Sequence, residues 1–300
     1  MVLHSRSRRA PLASARRPAL PAVLIAFLLC PTVAPAAETE WQTVAGAHVR
    51  VIASGPQDTS PVGDVAIQIR LDPGWHTYWR FPGEAGIPTT ADFAGSTGID
   101  GARLRFPPPQ TYSDPYSTSI VYRDEVVLPI DLEAGKTDGS ATLRVHLVFG
   151  VCREICVPGE ARFELPLNAT GSDFAARMAI SSARLTLPRP QGEAPPRIAS
   201  IGLSANERAA GTTDGTGGKL AISVELPAGA GDLALYAEGA TGSYNGVPKL
   251  VSRKGDVAVF SLPMQGLQKA QDGSQPLSLV LVVDGNAVEH QVDLADLPPG

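Results

Sequence analysis

Two cysteines interrupt a long apolar stretch of the chain, Val145-His-Leu-Val-Phe-Gly-Val-Cys-Arg-Glu-Ile-Cys-Val-Pro158. In a straight strand, which rises about 3.3 Å per residue, the Cα atoms of Cys152 and Cys156 would lie about 13 Å apart. A disulfide requires a Cα separation of about 5.5–6 Å. The spacing therefore predicts a turn at residues 153–155 that places the two thiols on opposite arms of a tight hairpin.

The chemistry of this cysteine pair has three interpretations when only the spacing is considered. A structural disulfide that closes so short a loop would stabilise the fold by only about 2 kcal/mol in the chain-entropy treatment. A short loop is also easier to reduce, which favours a redox-active pair. Two thiolates are, finally, ligands for a soft metal ion. Arg153 would favour a thiolate and Glu154 would oppose it, so the local charge leaves all three interpretations open.

Apolar and polar residues alternate on both sides of the cysteines, which predicts a β-rich fold. Residues 63–71 alternate in this way, and strand-like stretches follow at 102–106, 125–132, 141–151 and 160–167. Loops rich in proline and glycine separate these stretches. Short strands at this spacing are typical of a β-sandwich.

Residues 75–79, Trp-His-Thr-Tyr-Trp, predict a further strand. Because successive side chains of a strand point to opposite faces, the two tryptophans share one face with Thr77, and His76 shares the other with Tyr78. We interpret the aromatic residues as packing and sheet-edge residues, since aromatic side chains favour half-buried strands.

Residues 172–186 predict a helix, for which Ser172 or Asp173 is the cap. Its apolar residues keep roughly helical spacing: Phe174, Met178 and Leu185. The segments Pro188-Arg-Pro190 and Pro195-Pro196 then indicate a linker, because proline-rich stretches end regular structure.

A second β-rich region runs from about residue 197 to residue 296 and repeats the plan of the first. Each region closes with a long hairpin, residues 141–167 in the first and residues 277–294 in the second. Asp284-Gly285 occupies the turn of the second hairpin, where the first has its cysteines. We therefore predict two β-sandwich domains of related plan, the second without thiols.

Composition and charge exclude several classes of protein. Glycine (30) and proline (27) make up about a fifth of the 300 residues, which is too many for a helix bundle or a coiled coil. After residue 37 the chain has 20 basic and 30 acidic side chains, so nucleic acids and anionic membranes are not expected as partners. The sequence also contains no glycine-rich phosphate loop between a strand and a helix, and neither a Ser-x-x-Lys nor a His-Glu-x-x-His motif of hydrolases.

The N-terminus is typical of an export signal. Five arginines precede an apolar run at residues 19–30, and Ala34-Pro35-Ala36 follows as a small-x-small cleavage site. The run is too short to span a membrane stably, which takes about 20 helical residues. We therefore expect residues 1–37 to be a cleaved signal peptide and the mature protein to be periplasmic, without stable membrane insertion. Cys30 leaves with the signal, so two cysteines remain.

Four stretches of the chain together resemble the N-terminal domain of the membrane reductase DsbD and its relatives, including the ScsB type. They are Pro73–Pro88, Tyr122–Ile130, Val145–Pro158 and the hairpin return that ends at Leu167. The resemblance implies an immunoglobulin-like redox domain at residues 38–170, followed by the helix and the proline-rich linker at residues 171–196. Residues 197–300 look like the extra sandwich domain of ScsB-type relatives. We thus expect an all-β fold of two tandem immunoglobulin-like sandwich domains, with a short helix near the linker.

The resemblance also implies which residues form the site. Cys152 and Cys156 correspond to the reactive pair of the family, and Cys156 corresponds to the cysteine that meets the partner. The family shields this pair with a short cap loop, which maps onto residues 113–117. In that loop Pro115 follows Asp114 where an aromatic residue is expected, which leaves Tyr116 as the expected shield.

The function that the resemblance implies is thiol–disulfide exchange in the periplasm, without a cofactor. A membrane reductase of the DsbD or CcdA type would supply electrons through a thioredoxin-like module, and periplasmic disulfide proteins, including those of cytochrome c biogenesis, would receive them. The sequence shows no counterpart of the membrane and thioredoxin-like parts. Two alternatives stay open: a Cu(I)-binding protein, because two thiolates near a histidine such as His146 suit soft copper, and a sandwich with a purely structural disulfide.

Overall fold

The computed structural model describes residue 1 and residues 38–56, 63–135, 141–167, 173–204 and 218–297. Over these residues the protein is mostly β, with several antiparallel sheets and one α-helix. The predicted abundance of strands and the predicted helix are confirmed. The predicted signal peptide, residues 1–37, lies outside the described residues apart from Met1. None of the helices in the described ranges is long and apolar enough to cross a membrane.

The first β-region contains, in chain order, β1 (Gln42–Val44), β2 (Ala47–Ala53), β3 (Val65–Leu71), β4 (His76–Gly83), β5 (Thr90–Asp92), β6 (Ile99–Leu104), β7 (Gln110–Ser113), β8 (Thr118–Arg123), β9 (Glu125–Ala134), β10 (Thr142–Cys152) and β11 (Cys156–Pro166). These strands form two antiparallel sheets. Sheet 1 has the order β1-β2-β3-β9-β6. Sheet 2 has the order β11-β10-β4-β8-β7, and β5 pairs with β10.

Sheets 1 and 2 share one hydrophobic core, because each strand turns alternate side chains towards the other sheet. Ile67 of sheet 1 and Phe149 of sheet 2 belong to this core, as does the fully buried Trp79. Tyr78, the neighbour of Trp79, belongs instead to a separate small cluster with Cys152. The predicted opposite faces of residues 76–79 are therefore confirmed.

The helix α1 (Phe174–Thr186) begins after Asp173, one of the two candidate caps in the sequence. The Asp173 side chain accepts a hydrogen bond from the Ala176 amide at 3.0 Å, so this prediction is confirmed. Ala176 and Ile180 form the buried face of the helix and pack on Ile52 of β2. The helix thus lies on the outer surface of sheet 1.

The apolar residues that suggested the helix face solvent instead of the core. Phe174, Met178 and Leu185 are 73%, 50% and 87% exposed. Their spacing is helical, but the opposite face of α1, rich in alanine, is the one that approaches the sheet. Arg184 adds a salt bridge to Asp131 of β9 at 2.8 Å. These contacts attach α1 to the first β-region, although the sequence places it beside the linker.

The second β-region contains β12 (Arg189–Pro190), β13 (Arg197–Leu203), β14 (Lys219–Glu225), β15 (Leu233–Glu238), β16 (Lys249–Lys254), β17 (Val257–Pro263), β18 (Pro276–Val283) and β19 (Asn286–Asp293). Sheet 3 has the order β12-β19-β18-β15, and sheet 4 has the order β13-β14-β17-β16. The short strand β12 runs parallel to β19. Part of the predicted proline-rich linker is therefore an edge of sheet 3.

Sheet 3 carries buried residues on both of its faces. On β15, Leu235 belongs to the core between sheets 3 and 4, whereas the next residue, Tyr236, belongs to the core of the first β-region. On β18, Leu279 and Leu281 belong to the former core and Val280 to the latter. The two β-regions therefore make an apolar contact through the outer face of sheet 3.

Candidate functional site

The two cysteines close the hairpin of β10 and β11. The two strands pair in register from Thr142 and Pro166 to Cys152 and Cys156. The turn comprises residues 153–155, and the Cα atoms of the two cysteines lie 4.2 Å apart across a disulfide bond. The predicted turn and the predicted opposition of the two thiols are confirmed.

The two bonded cysteines differ in their access to solvent. Cys152 is 2% exposed, whereas Cys156 is an exposed residue at the start of β11. Ile155 and Val157, on either side of Cys156, are exposed apolar side chains. A thiolate of another protein therefore has access to Cys156, while the fold covers Cys152.

Tyr78 contacts both sulfurs of the disulfide. Its hydroxyl donates to Cys152 Sγ at 2.9 Å and lies 3.0 Å from Cys156 Sγ. Because disulfide sulfurs carry no proton, the hydroxyl is the donor in both contacts. Burial raises the pKa of Tyr78, and Tyr112 and Asp114 raise it further. The hydroxyl therefore stays protonated and able to donate at neutral pH.

Two glycines form the slot that holds the Tyr78 ring. A Cβ atom at Gly86 would lie 2.2 Å from Cε1 of the ring, and a Cβ atom at Gly150 would lie 2.8 Å from Cδ2. Gly86 also has a φ of +127°, which other residues rarely adopt. Gly150 precedes Cys152 by two positions on β10, so one strand carries one wall of the slot and the buried sulfur. A side chain at either glycine would displace the ring from the sulfurs.

The sequence places Tyr78 on one face of a strand, and we interpret it there as a packing residue. The contact of its hydroxyl with the disulfide is therefore not predicted from the sequence. The decisive fact is the pairing of β4 with β10, in which His76 lies opposite Cys152. Tyr78 and Cys152 are 74 positions apart in the chain. The only local signal is an aromatic residue with a polar tip on the strand face that points away from the core.

His76 lies directly across the strand pair from Cys152 and is buried. Its ring is perpendicular to that of Tyr78, with the centroids 5.4 Å apart, and lies 4.7 Å from the ring of Tyr112. Burial lowers the pKa of His76, and Arg123 lowers it further. The ring is therefore neutral at pH 7, and the inner side of the disulfide is lined by uncharged aromatic groups.

His146, the histidine of the copper alternative, lies further along the hairpin. It is opposite Arg162, and its Nε2 atom is 3.3 Å from a carboxylate oxygen of Glu160. Six positions of β10 separate His146 from Cys152, which corresponds to about 20 Å along a strand. Within the described ranges, no three His, Cys, Asp or Glu side chains are grouped so as to hold a metal ion.

The predicted cap loop connects β7 to β8. The Asp114 carboxylate accepts hydrogen bonds from the amides of Tyr116 at 2.7 Å and Ser117 at 2.8 Å, and these bonds lower its pKa. This compact turn leaves Pro115 and Tyr116 at its bend, and the Tyr116 side chain is 96% exposed. In this structure, contrary to the expectation, the Tyr116 side chain extends into solvent and does not cover the disulfide. Tyr78 is the aromatic residue that contacts the sulfurs.

Trp75 supports the turn that carries the cysteines. The guanidinium carbon of Arg153 lies 5.5 Å from the centroid of the Trp75 ring, a cation–π contact. On the β1–β2 turn, a Cβ atom at Gly46 would lie 2.4 Å from the same ring. Trp75 thus packs between two turns at one end of the first β-region.

Comparison with known proteins relates this site to a family. Residues 44–168 match the family described as "Thiol:disulfide interchange protein DsbD, N-terminal". The solved N-terminal periplasmic domain of ScsB from Proteus mirabilis has a similar fold, with a TM-score of 0.65 and 22% sequence identity. The match covers 86% of this chain and 98% of that chain, so it extends into the second β-region. No curated protein matches the chain.

Proposed function

We propose that this protein exchanges thiols and disulfides in the periplasm, because residues 44–168 match the DsbD N-terminal domain family. It receives electrons from a membrane reductase of the DsbD or CcdA type through a thioredoxin-like module. It passes them to periplasmic disulfide proteins, among which are those of cytochrome c biogenesis. The family match and the disulfide between Cys152 and Cys156 support this role.

The proposed function includes a division of the chain. Residues 38–170 are an immunoglobulin-like redox domain, residues 171–196 connect the domains, and residues 197–300 are a second sandwich domain, after a signal peptide at residues 1–37. The shared core of sheets 1 and 2 and the shared core of sheets 3 and 4 support this division.

One observation carries the proposal: the disulfide joins an exposed cysteine to a buried one, and a hydroxyl donor contacts the two sulfurs. Cys156 is exposed, and Cys152 is buried beside the hydroxyl of Tyr78. A purely structural bridge has no need of this asymmetry. It is what exchange requires, because one sulfur must be attacked while the other leaves.

In the first step, a thiolate of the electron donor attacks Sγ of Cys156. The bond between Cys152 and Cys156 breaks, a mixed disulfide forms between the donor and Cys156, and Cys152 leaves as a thiolate. The second thiolate of the donor then attacks the mixed disulfide. The donor departs as a disulfide, and this protein retains two electrons as two thiolates, which take up protons from solvent according to their pKa values.

Tyr78 favours the first step because its hydroxyl already lies at hydrogen-bonding distance from the leaving sulfur. A hydrogen bond to a charged acceptor is stronger than one to a neutral acceptor, so the contact strengthens as charge develops on Cys152. Burial acts in the opposite direction, since it disfavours a thiolate at Cys152. The hydroxyl therefore offsets part of the cost of forming a buried thiolate.

Delivery of the electrons follows the same path in reverse. The Cys156 thiolate attacks a disulfide of the substrate protein, which forms a mixed disulfide and releases one substrate thiolate. Cys152 then attacks Cys156 Sγ, which restores the Cys152–Cys156 bond and releases the second substrate thiolate. Exposed Ile155 and Val157 give either partner an apolar surface beside the reacting sulfur.

The variant Cys152→Ser, expressed in the native periplasm, tests this proposal. Without the resolving thiol, Cys156 should accumulate a covalent adduct with a partner, and reductant should release it. Cys156→Ser is the matched control and should trap far less, because Cys152 is buried.

The other interpretations predict different results for the same two variants. If neither variant forms an adduct and the unaltered protein binds Cu(I) tightly, the copper alternative replaces the proposal. If neither forms an adduct and each loses only about 2 kcal/mol of stability, the disulfide is structural.

A further inference from the structure

Strand β4 carries the residue that contacts the sulfurs and then continues towards the second β-region. Its pairing with β8 stops at Tyr78 and resumes at Gly83, where a register shift is present. Between these points residues 79–82 of β4 stand opposite Ile120 alone. A bulge of this kind re-aims side chains and interrupts the ladder, so the pairing with β8 does not fix the conformation just after Tyr78.

Side chains of the second β-region hold this bulge. Arg80 Nε lies 2.6 Å from a carboxylate oxygen of Glu238, and Arg80 Nη2 lies 2.5 Å from one of Glu289. Ser278 Oγ donates to the same oxygen of Glu289 at 2.9 Å, which fixes that carboxylate from the other side. The Arg80 guanidinium also stacks on Trp79, 4.4 Å from the ring centroid.

These three charged side chains are mostly buried, so solvent screens their attraction only weakly. Burial by itself would lower the pKa of Arg80, but the carboxylates of Glu238 and Glu289 raise it overall, so the guanidinium keeps its charge. Tyr236 reinforces the same contact. Its ring centroid lies 6.0 Å from that of Trp79, and its hydroxyl donates to the Pro109 carbonyl at 2.8 Å.

We propose that Arg80 is a positioning residue of the redox site and acts through Tyr78. Arg80 follows Tyr78 by two positions, on the unpaired side of the point where the ladder stops. Thr89 Oγ1 donates to the Tyr78 carbonyl at 2.5 Å, and by holding Arg80 the second β-region fixes the chain on the other side of Trp79 and keeps the hydroxyl aimed at Cys152 Sγ. The biological meaning of this role rests on the proposed exchange function. The positioning itself can be measured without a biological partner, because small thiols also reduce the disulfide.

A double-mutant cycle on the full chain tests the assignment, with the rate at which dithiothreitol reduces the disulfide as the readout. Tyr78→Phe removes the hydroxyl and should slow reduction about tenfold, since it removes a hydrogen bond to a developing charge. Arg80→Met should slow reduction about fivefold in the otherwise unaltered protein, within the range of known positioning effects. In the Tyr78→Phe background it should change the rate by less than about twofold, because the group it positions is absent.

Two further variants separate positioning from general stability. Arg197→Met is the matched control, because Arg197 bonds Glu225 at 2.7 and 2.8 Å within sheet 4, and it should leave the rate unchanged. Arg80→Lys keeps a positive charge between the two carboxylates and should restore most of the rate. Equal slowing by Arg80→Met in both backgrounds would overturn the assignment, as would the absence of slowing or of recovery by lysine.

Two further outcomes are an Arg80→Met chain that does not fold and a failure to trap a periplasmic partner. If the Arg80→Met chain does not fold, the variant Arg80→Met/Glu238→Gln/Glu289→Gln removes the three charges together and takes its place in the cycle. Dithiothreitol acts on the disulfide whatever its biological partner. A failure to trap a periplasmic partner would therefore overturn the proposed function, while the positioning role of Arg80 would still be accepted or rejected on these rates.

Discussion

The hairpins β10–β11 and β18–β19 close their respective β-regions, but they end in different turns. β10 and β11 meet at Cys152 and Cys156, with three residues between them and a disulfide across the end. β18 and β19 meet at Val283 and Asn286, with only Asp284-Gly285 between them. Both of these turn residues have positive φ, 49° and 79°, as the common two-residue type I′ turn requires.

The strand beside each hairpin differs as well. Opposite Cys152, strand β4 places His76, and two positions later it places Tyr78 against the sulfurs. Opposite Val283, strand β15 places Leu233, which packs against the core of the second β-region. The same plan thus provides polar and aromatic neighbours at one hairpin end and apolar packing at the other.

The two turns also have opposite relations to their surroundings. The Asp284 carboxylate accepts hydrogen bonds from the amides of Gly231 and Asp232, at 2.9–3.1 Å, which ties the second turn to the adjoining loop. The first turn instead leaves Cys156 exposed. The reactive site therefore depends on the turn and on the neighbouring strand, since both regions have the same kind of closing hairpin.

The largest expected effect comes from removing the thiols from the first hairpin. Cys152→Ala/Cys156→Ala should abolish thiol exchange entirely. Its free energy of unfolding should fall by only about 2 kcal/mol, because so short a loop constrains the unfolded chain weakly. Urea denaturation of the variant and of the oxidised protein measures this difference. A loss above about 5 kcal/mol would show that the bridge stabilises the fold more than its short loop predicts.

The next effect concerns the glycine slot beside the first hairpin, which holds the Tyr78 ring. Gly150→Ala introduces a methyl group 2.8 Å from the Tyr78 ring, and such overpacking should cost about 1–3 kcal/mol. Displacement of the hydroxyl should also slow reduction by dithiothreitol, by roughly tenfold. Gly192→Ala is the control, because a Cβ atom there meets nothing within 4 Å. Identical reduction rates in the two variants would contradict the role of the slot.

A smaller effect is expected when the second turn is altered. Asp284→Ala removes the acceptor of the Gly231 and Asp232 amides and should lower the free energy of unfolding by about 1–2 kcal/mol. The rate of disulfide reduction should not change. Thermal or urea unfolding measures the first quantity, and a slower reduction in this variant would show that the two hairpin ends are coupled.

His76→Leu copies the apolar neighbour of the second hairpin into the first, with an effect that depends on pH. Burial and Arg123 lower the pKa of His76 below its usual 6.5, so the unfolded chain binds more protons than the folded one just below that pH. Stability then rises with pH through this window and falls on acidification. In urea denaturation above and below pH 6.5, acidification should lower the free energy of unfolding less in the variant than in the unaltered protein. Equal losses in the two proteins would exclude the effect.

The smallest effect is expected at the cap loop. Because the Tyr116 side chain is 96% exposed, Tyr116→Ala should change the rate of reduction by dithiothreitol by less than about twofold. Stopped-flow measurement of the oxidised protein with excess reductant checks this. A large acceleration would show that the loop folds over the disulfide in solution, as the family resemblance suggests.

Local patterns in the sequence determined several features correctly. Alternation at residues 63–71 locates β3, and the faces of residues 76–79 follow from their order along the strand. The turn at residues 153–155 and the turn at Asp284-Gly285 are both where the spacing places them. These features depend on dihedral preferences and on residues a few positions apart, which the sequence displays directly.

Alternation and helical spacing show which side chains share a face, but they do not show what covers that face. The helix α1 illustrates the difference, since its large apolar residues, including Phe174, are exposed and its alanine-rich face is buried. The sequence gives even less information on what a charged side chain contacts. Arg80, for example, could equally have pointed to solvent.

The sequence by itself therefore determined the strands, the cysteine hairpin and its resemblance to a redox family. Only the tertiary structure decided that Tyr78 donates to Cys152, 74 positions away, and that Arg80 pairs with Glu289, 209 positions away. The physical reason is that these contacts arise where strands distant in the chain become neighbours. The strand order that makes them neighbours depends on the packing of whole sheets.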